Sequence, residues 1–430
     1  MSNDLIKAEV LEIAQAARDA SGELGCKTLE ERDGALRAMA AALRSHVGEI
    51  VEANRRDMDA AREAGTKESL LDRLMLDEGR VEAMAAALED LVALPDPLGE
   101  VQEERTLYNG IELERVSVPL GVVAVVYEAR PNVTADAAGI CLKAGNACVL
   151  RGGSMAAASN AAISRVLHDA AVDAGMPRGC IGSIASIDRA ATDELMQLHG
   201  TVDVLIPRGG AGLIRHCVEC SKVPVIETGT GNCHVYVHGS ADLAKATAIV
   251  ENAKCRRYGV CNAAETLLVD RAIAGEFLPG MMALLASHGV ALHCDEESFA
   301  IAEKLAAAGD ELVFDRADEG DWETEYLAPE IAIKCVGGVD EAIAHVNRYG
   351  TRHSEAIVAE DAAACERFLA RVDAAAVYAN ASTAFTDGGQ FGMGAEIGIS
   401  TQKLHARGPF ALRALTSYKS VLRGDGQVRA

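Results

Sequence analysis

Aromatic side chains are scarce in this sequence of 430 residues. Phe, Trp and Tyr together make up 4% of the chain, and there is one Trp. The core must therefore be packed mainly by Ala, Val, Leu and Ile, as in proteins whose helices cover a parallel sheet. The rest of the composition, 49% hydrophobic and 24% charged, is ordinary for a globular protein. The length suits two to three domains.

An excess of positive charge is also missing. The chain has 41 basic and 64 acidic residues, for a net charge of -23. This balance argues against nonspecific binding to nucleic acid or to an anionic membrane. If the ligand is itself an anion, a few arginines and lysines must be gathered locally to meet it.

Long apolar runs and a cysteine framework are absent as well. No run of 18 apolar residues occurs, so no membrane span is expected, and the first residues, MSNDLIKAEV, show no apolar core of a signal peptide. The 12 cysteines are scattered without regular spacing, which suits free thiols in a reducing compartment better than disulfides. We therefore expect a cytoplasmic protein.

Helical periodicity dominates the first 95 residues, and strands alternate with helices after them. A hairpin is predicted around the turn Asn109-Gly110. Strands are then predicted from near residues 146, 180, 202 and 223, with helices at 154–173 and 192–199. A second alternating series follows Glu227. The pattern predicts an α/β fold of two doubly wound units joined near Gly229.

No strict G-x-G-x-x-G dinucleotide fingerprint is present. Two turns, LRGGS at 150–154 and IPRGGAGLI at 206–214, instead place a glycine pair between a strand and a helix, which makes a seat for phosphate. Two tight turns with solvated arginines remain the alternative. The candidate residues are Arg151, Gly152, Gly153 and Ser154 in the first turn, and Arg208, Gly209 and Gly210 in the second.

Cys261 stands in the stretch YGVCNAAETLLV. A buried, inert thiol is the ordinary interpretation of a free cysteine. However, Gly259 and Asn262 predict an accessible loop, and the apolar run after them predicts a strand that holds it. The upstream cations at 254, 256 and 257 would favour the nucleophilic thiolate.

Asn132 follows a proline between a predicted strand and a predicted helix, in RPNVTAD. Its amide is suited to donating to an oxyanion, although on local sequence a helix N-cap is the better interpretation. The Cys-x-x-Cys in HCVEC at 216–220 lacks two further ligands at a suitable spacing, so no metal site is expected.

Taken together and in order, these motifs resemble the aldehyde dehydrogenase superfamily. They are most similar to its branch that reduces γ-glutamyl 5-phosphate to glutamate 5-semialdehyde, the second step of proline biosynthesis. The resemblance covers nearly the whole chain. It rests on YEARPNVTAD, LKAGNACVLRGGS, VDVLIPRGGAGLI, ETGTGNCHVYV, ENAK with GVCNAAETLLV, YGTRHSEAIVAED and GAEIGISTQKLHARGP.

The resemblance implies an aldehyde-dehydrogenase-like fold with two doubly wound α/β domains and a small β element for oligomerisation. The NADPH-binding domain would comprise 1–102 and 119–228, and the catalytic domain 229–409. The oligomerisation element would comprise 103–118 and 410–425, so we expect a homo-oligomer, a dimer or a tetramer.

The resemblance also implies roles for single residues. Cys261 would be the nucleophile, and Asn132 would form the oxyanion hole with the backbone N–H of Cys261. Arg151 would meet the 2′-phosphate of NADP by bidentate pairing. Glu325, in EYLAP, would hold the nicotinamide ribose. Glu227 aligns with the glutamate that hydrolytic relatives use as a base, and we group it with the cofactor-binding residues.

The implied reaction forms a Cys261 thioester as phosphate leaves, and hydride from NADPH then reduces it. The α-carboxylate and amino group of the substrate would be held by Arg352, His353, Lys403 and His405. Glutamate 5-kinase, which makes the acyl phosphate, is a possible partner.

One stretch departs from the family pattern. Before the nucleophile the family usually has Lys-x-Gln-Arg-Pro, whereas residues 254–258 read KCRRY. Two alternatives stay open: a hydrolytic aldehyde dehydrogenase, in which Glu227 is essential and phosphate is not needed, and a catalytically silent scaffold, which would show no turnover.

Overall fold

The computed structural model describes residues 2–128 and 130–429, apart from the side chain of Ser69. It divides the chain into two compact units. The first contains Met1–Thr228, Gly392–Gly398 and Phe410–Ala430, and the second contains Gly229–Phe391 and Ile399–Pro409.

Nine helices of the described chain belong to the first unit. They are α1 Asn3–Leu24, α2 Leu29–Ser45, α3 Val47–Glu63, α4 Glu68–Leu74, α5 Glu78–Ala93, α6 Asn132–Lys143, α7 Ala157–Asp173, α8 Arg189–Met196 and α9 Ala211–Cys220. The helical prediction for the first 95 residues is confirmed. The helix predicted at 192–199 begins earlier, because the Asp188 side chain accepts from the Ala190 amide and starts α8 there.

The strands of the first unit form two sheets. These strands are β1 Val101–Thr106, β2 Glu112–Pro119, β3 Val122–Tyr127, β4 Ala147–Gly152, β5 Ile181–Ser183, β6 Val204–Arg208 and β16 Thr416–Arg423. A parallel sheet has the order β5-β4-β3-β6, and α1 and α6 pack against it. Every residue of β3 is buried, as the unbroken apolar run VVAVVY predicts.

An antiparallel sheet of order β1-β2-β16 contains the predicted hairpin. The turn residue Gly110 has a φ of 82°, a left-handed conformation that glycine adopts without a steric penalty. The C-terminal tail contributes β16, so the strand predicted in this tail is confirmed from Thr416 onward.

The strand predicted near residue 223 is wrong. Val225 forms only an isolated bridge with Leu205. The Leu205 amide donates to the Pro224 carbonyl, and the Ile226 amide donates to the Leu205 carbonyl. Pro224 has no N–H of its own, so the ladder of hydrogen bonds does not extend.

The second unit is a parallel seven-stranded sheet with helices on both faces. Its helices are α10 Leu243–Cys255, α11 Arg271–Ser287, α12 Glu296–Ala308, α13 Val339–Tyr349 and α14 Ala362–Arg371. Its strands are β7 Cys233–Val237, β8 Ala264–Asp270, β9 Ala291–Cys294, β10 Phe314–Arg316, β11 Glu330–Val336, β12 Ser354–Val358 and β13 Ala376–Ala379, in the order β10-β9-β11-β8-β7-β12-β13. Two short strands, β14 Gly398–Ser400 and β15 Gly408–Phe410, pair with each other.

Two apolar clusters pack the faces of this second sheet. One contains α10, α11 and α12 side chains with Val235, Leu267 and Ile333, and the other contains α13 and α14 side chains with Tyr236 and Leu268. Neighbouring residues of one strand thus lie in different clusters, because side chains alternate across a strand. The predicted α/β fold class is confirmed. In the part of the chain that the structure describes, no helix is both long and apolar enough to cross a membrane.

Candidate active site

Two predicted turns of the first unit meet around Glu128. Strands β4 and β6 both flank β3, so the turns that follow them lie on either side of the residue that follows β3. A Cβ on Gly153 would lie 3.1 Å from the Cα of Glu128, and one on Gly209 would lie 2.5 Å from its Oε2. The sequence analysis did not single out Glu128. Its position directly after a fully apolar strand was the only signal for it.

The first turn opens onto a cleft of about 280 Å³. Gly152 lines it, together with residues of α7 and of the segment after β5. Asn160 and Ser164 are 5% and 4% exposed, and within the described residues Asn160 Nδ2 and Ser164 Oγ have no hydrogen-bond partner. Buried polar atoms without partners are rare in folded proteins, and these two belong to residues that line the cleft.

Arg151 is the neighbour of Gly152 and contacts the backbone of Ile187, two residues that line this cleft. It is 8% exposed, and its Nη2 donates to the carbonyls of Ile187 and Asp188, each at 3.0 Å. Its Nε has no partner among the described residues, and no carboxylate there lies within ion-pair distance. Burial lowers the pKa of the guanidinium. The charges of Asp188 and Asp193 oppose this shift from beyond ion-pair distance, so an anionic ligand group would add to a compensation that is only partial.

The second turn already has an anion. The Gly210 amide, just before α9, donates to Glu128 Oε2 at 2.8 Å. Burial raises the pKa of Asp136, and the charge of Arg208 opposes that shift. A phosphate at the second turn must therefore displace a carboxylate, whereas the first turn imposes no such cost.

The helix-cap interpretation of Asn132 is wrong. Asn132 is the first residue of α6, Pro131 occupies the N-cap, and no side chain caps the helix. The exposed Asn132 amide donates to Asp136 Oδ2 at 2.9 Å. Burial raises the pKa of Asp136 to about 6, although this hydrogen bond acts to lower it. Asp136 thus occupies one N–H of the Asn132 amide, and an oxyanion would have to accept from the other. Glu227, also in the first unit, is half-buried.

Cys261 lies in the second unit, in the loop between α10 and β8. The predicted loop and following strand are confirmed, and Cys261 is half-buried. Cys233 Sγ donates to the Cys261 carbonyl at 3.2 Å. Gly231 approaches so closely that a Cβ on it would overlap that carbonyl, so only glycine fits there. Both contacts are made to the backbone carbonyl of Cys261, so they fix the backbone of the loop.

Lys254, expected to favour the thiolate, forms an ion pair with a buried carboxylate. Lys254 and Glu265 are both fully buried, and Lys254 Nζ lies 2.5 Å from Glu265 Oε2. The lysine charge is thus compensated within the core, and burial raises the pKa of Glu265 to about 7. Arg256 and Arg257 are exposed in the loop itself. The local sequence showed the cations but could not show which of them has a partner.

Glu325 is brought to the Cys261 loop through Gly231. Its Oε1 accepts from the Gly231 amide at 2.6 Å, and Gly231 packs on the Cys261 carbonyl. Burial raises the pKa of the Glu325 carboxyl. Two residues further on, the Leu327 amide donates to Glu265 Oε1 at 3.2 Å. The EYLAP segment, the nucleophile loop and the buried ion pair therefore form one connected arrangement in the second unit.

The expected substrate residues separate into two groups. Arg352 and Lys403 meet at Asp373, with N–O distances of 3.8 and 2.7 Å, and His405 lies two residues from Lys403. His353 is fully buried and its Nδ1 lies 2.8 Å from Ser354 Oγ. Burial lowers the pKa of His353 to about 4, so the ring is neutral near pH 7.

Other residues at these sites were missed by the sequence analysis. Cys233 and Glu265 lie within the blocks that carry the family resemblance, but no local pattern marked them. The residues of HCVEC lie on α9, with Cys217 buried and Cys220 exposed. Within 2–128 and 130–429, no three His, Cys, Asp or Glu side chains are grouped so that they could hold a metal ion.

The α/β fold and the cysteine loop define a class of protein, and comparison with known proteins agrees. The model of the aldehyde dehydrogenase family matches residues 3–300. This chain belongs to that family, whose enzymes use nicotinamide cofactors.

More particular relatives share about half of the sequence. A γ-glutamyl phosphate reductase from Moorella thermoacetica is 52% identical over 424 residues, covering 99% of each chain. One from Symbiobacterium thermophilum is 53% identical over 425 residues, covering 98% of this chain and all of the relative. The crystal structure of γ-glutamyl phosphate reductase from Thermotoga maritima superposes with a TM-score of 0.94 at 46% identity, covering 98% of this chain and 100% of the other.

The resemblance predicted from the motifs is thereby confirmed. The homologues are reductases of proline biosynthesis acting on a small molecule, and they support an enzyme of this kind over the hydrolytic dehydrogenase and the silent scaffold.

Proposed function

We propose that this protein catalyses the NADPH-dependent reduction of γ-glutamyl 5-phosphate to glutamate 5-semialdehyde and phosphate. The observation that carries the proposal is the construction of the Cys261 loop, whose carbonyl is held by Cys233 and Gly231 while Glu325 binds the Gly231 amide. The identity of about 50% with reductases over the full chain supports the substrate.

Cys261 is the proposed nucleophile. Its thiolate attacks the acyl carbon, the carbon–oxygen bond to phosphate breaks, and phosphate leaves with the electron pair. Asn132 and the backbone N–H of Cys261 are the proposed donors to the oxyanion. NADPH, when bound, supplies the hydride that reduces the thioester carbon. The Cys261 sulfur then leaves as a thiolate, so no residue has to activate water in this direction.

The cofactor-binding residues are proposed on the first unit. The cleft beside Gly152 would take the adenosine end, since Asn160 and Ser164 line it and a small movement of these side chains would bring their buried, unpartnered polar atoms to a ligand. Arg151, a buried cation that forms no ion pair with a described carboxylate, supports a 2′-phosphate and hence NADPH over NADH.

Further residues keep the roles that the family resemblance implies. Glu325 would hold the nicotinamide ribose, and Glu227 would lie beside the cofactor. The second turn, 208–210, is proposed as a further cofactor contact that requires Glu128 to move. The cytoplasmic location, the assembly of copies through β1, β2 and β16, the two-domain assignment and contact with a kinase stay predictions.

The test runs the reaction backwards, with glutamate 5-semialdehyde and NADP, with and without inorganic phosphate, while the absorbance of the reduced cofactor is followed. Phosphate-dependent reduction of NADP is expected, because phosphate must resolve the thioester. Reduction that proceeds equally well without phosphate would assign a hydrolytic dehydrogenase instead and would make Glu227 the residue to mutate.

Cys261→Ala sharpens this test. Turnover should fall by at least about a thousandfold because the nucleophile is gone, while NADPH still binds. Cys220→Ala, which removes an exposed thiol on α9, is the matched control and should keep full activity. Normal turnover in Cys261→Ala would refute the assignment of the nucleophile.

A further inference from the structure

Three cations from two separate segments of the second unit surround one carboxylate. Lys403 Nζ and Arg407 Nη2 lie 2.7 Å from Asp373 Oδ2 and Oδ1, respectively, and Arg352 Nε lies 3.8 Å from Oδ2. We call these four residues the Asp373 cluster. In a chain of net charge -23, such a local gathering of positive charge indicates an anionic group as its ligand.

The cluster retains charge and donors for a ligand. Three cations against one carboxylate leave two positive charges, and in the described part of the chain none of the three lies within ion-pair distance of another carboxylate. Lys403 and Arg352 are each 60% exposed, and Arg407 is 30% exposed. Ammonium and guanidinium groups carry several N–H donors each, so donors stay open to solvent.

The backbone around the cluster is strained at two positions. Arg352 has a φ of 64° and His405 a φ of 69°, in the left-handed region that residues with a Cβ rarely adopt. Such conformations cost on the order of 1–3 kcal/mol and concentrate at functional sites. The fold thus holds both cationic loops in conformations that their sequence does not favour.

One chain of contacts links the cluster to the nucleophile. His353, the residue after Arg352, places Nδ1 3.7 Å from Cys233 Sγ. Cys233 in turn donates to the Cys261 carbonyl at 3.2 Å. His353 is therefore buried behind the nucleophile loop while its neighbour Arg352 faces solvent.

A second chain of contacts arrives at the same loop. Ser354 Oγ donates to Thr386 Oγ1 at 2.6 Å, and Asn262 Nδ2 donates to the Thr386 carbonyl at 3.0 Å. Asn262 is the residue after Cys261. His353 thus reaches the nucleophile loop through Cys233, and Ser354 reaches it through Thr386.

The cluster contains both positive and negative side chains, and this combination discriminates between anionic ligands. Its cations hold the pKa of Asp373 at about 2, so this carboxylate stays charged at neutral pH. A carboxylate at the centre repels a phosphate but attracts an ammonium group. The α-carbon of an amino acid carries a carboxylate and an ammonium group together, so its charges complement those of the cluster.

We propose that the Asp373 cluster binds the α-amino acid head of the substrate: its three cations take the α-carboxylate, and Asp373 takes the α-ammonium group. This assignment rests on the proposed function and deepens it. It makes Asp373, which no sequence motif indicated, and Arg407, which the sequence analysis did not single out within its motif, determinants of substrate specificity.

The first test compares two aldehydes in the reverse reaction with NADP and phosphate. They are glutamate 5-semialdehyde and 5-oxopentanoate, the same chain without the amino group. Asp373→Asn should raise KM for the semialdehyde by about ten- to a hundredfold, as expected for loss of a charged hydrogen bond, with kcat little changed. KM for 5-oxopentanoate should stay the same or fall, because that substrate has no ammonium group.

Asp340→Asn is the matched control. Asp340 also pairs with two arginines, Arg367 and Arg371, on the surface of the same unit. Its replacement should leave both KM values unchanged. NADPH binding and the thermal midpoint of each variant establish that it is folded.

A second variant tests the cations. Lys403→Gln should raise KM for both carboxylate-bearing aldehydes and leave KM for pentanal, which has no carboxylate, unchanged. If the cluster binds phosphate instead, Lys403→Gln will raise KM for inorganic phosphate and affect all three aldehydes alike, and the proposal is overturned.

Two outcomes would overturn this inference alone, and a third would overturn the proposed function. Wild-type protein that accepts semialdehyde and 5-oxopentanoate with equal KM would overturn the ammonium assignment, even if Asp373→Asn cannot be purified. Equal effects of Asp373→Asn on both aldehydes would overturn it too. Phosphate-independent or absent turnover in the wild type would overturn the proposed function first.

Discussion

The turn after β4 and the turn after β6 share a sequence pattern, an arginine and two glycines between a buried strand and a helix. They also end strands that flank the same neighbour, β3. Around the first turn lie a cleft, two buried polar atoms without a partner among the described residues, and a buried cation that forms no ion pair with a described carboxylate. At the second, Glu128 already accepts from the Gly210 amide.

This difference shows what a local motif can and cannot specify. Arginine and glycine pairs at a strand end produce the turn and point backbone N–H groups toward a ligand. Whether an anion can bind depends on the side chains that the rest of the fold places opposite. Here the carboxylate of Glu128, the residue that follows the strand between the two turns, makes the two turns unequal as anion sites although their sequences are similar.

The largest effect is expected on NADPH affinity, where Arg151 and Arg208 should differ. Arg151→Gln should weaken NADPH binding by about ten- to a hundredfold, because a buried guanidinium loses its charge-assisted bond to the 2′-phosphate. NADH binding should change by less than about threefold. Isothermal titration with both cofactors measures the difference.

Arg208→Gln is the counterpart in the second turn and should change NADPH affinity less than Arg151→Gln does. If Arg208→Gln has the larger effect, the assignment of the phosphate to the first turn is wrong. Equal losses of NADPH and NADH binding in Arg151→Gln would mean that the residue only supports the Ile187 loop.

The next effect concerns the glycines. A Cβ on Gly152 would overlap Asn160 Nδ2 and lie 3.3 Å from Tyr127 Cε2, whereas one on Gly210 would lie 3.8 Å from Glu128 Oε2, an ordinary contact. Gly152→Ala should lower the free energy of unfolding by about 1–3 kcal/mol, the usual cost of overpacking. It should also push Asn160 toward the cleft and weaken cofactor binding.

Denaturant unfolding of Gly152→Ala and Gly210→Ala, with a cofactor titration of each, checks this prediction. Gly210→Ala should lie within about 1 kcal/mol of the wild type. A tolerated Gly152→Ala with normal NADPH affinity would show that the first turn is no more constrained than the second.

The smallest effect is expected from Glu128→Gln. Removing the carboxylate charge weakens the hydrogen bond to the Gly210 amide, at a cost of about 1 kcal/mol of stability or less because the side chain is exposed. It should also tighten NADPH binding by a few fold, since a like charge beside the cofactor phosphates is removed. Weaker NADPH binding would mean that Glu128 itself contacts the cofactor.

Most of the fold could be predicted from sequence because its elements are locally determined. Helical spacing predicted that the first 95 residues are helical, although not that they divide into five helices, and unbroken apolar runs revealed the buried strands. The failure at residue 223 is instructive: VPVIETG has strand composition, but Pro224 limits it to a single bridge. Val223 and Ile226 are buried there, as their hydrophobicity predicts, but hydrogen bonding determined the backbone conformation.

The active site divides in the same way. The sequence by itself determined that Cys261 stands in a loop before a buried strand, that Asn132 opens a helix, and which family the chain belongs to. Only the tertiary structure decided that Lys254 is compensated by Glu265, that His353 is buried, and that Arg352 meets Lys403 at Asp373. Periodicity and turn chemistry act between near neighbours in the chain. Charge compensation and burial depend on residues from distant segments, and folding alone sets those distances.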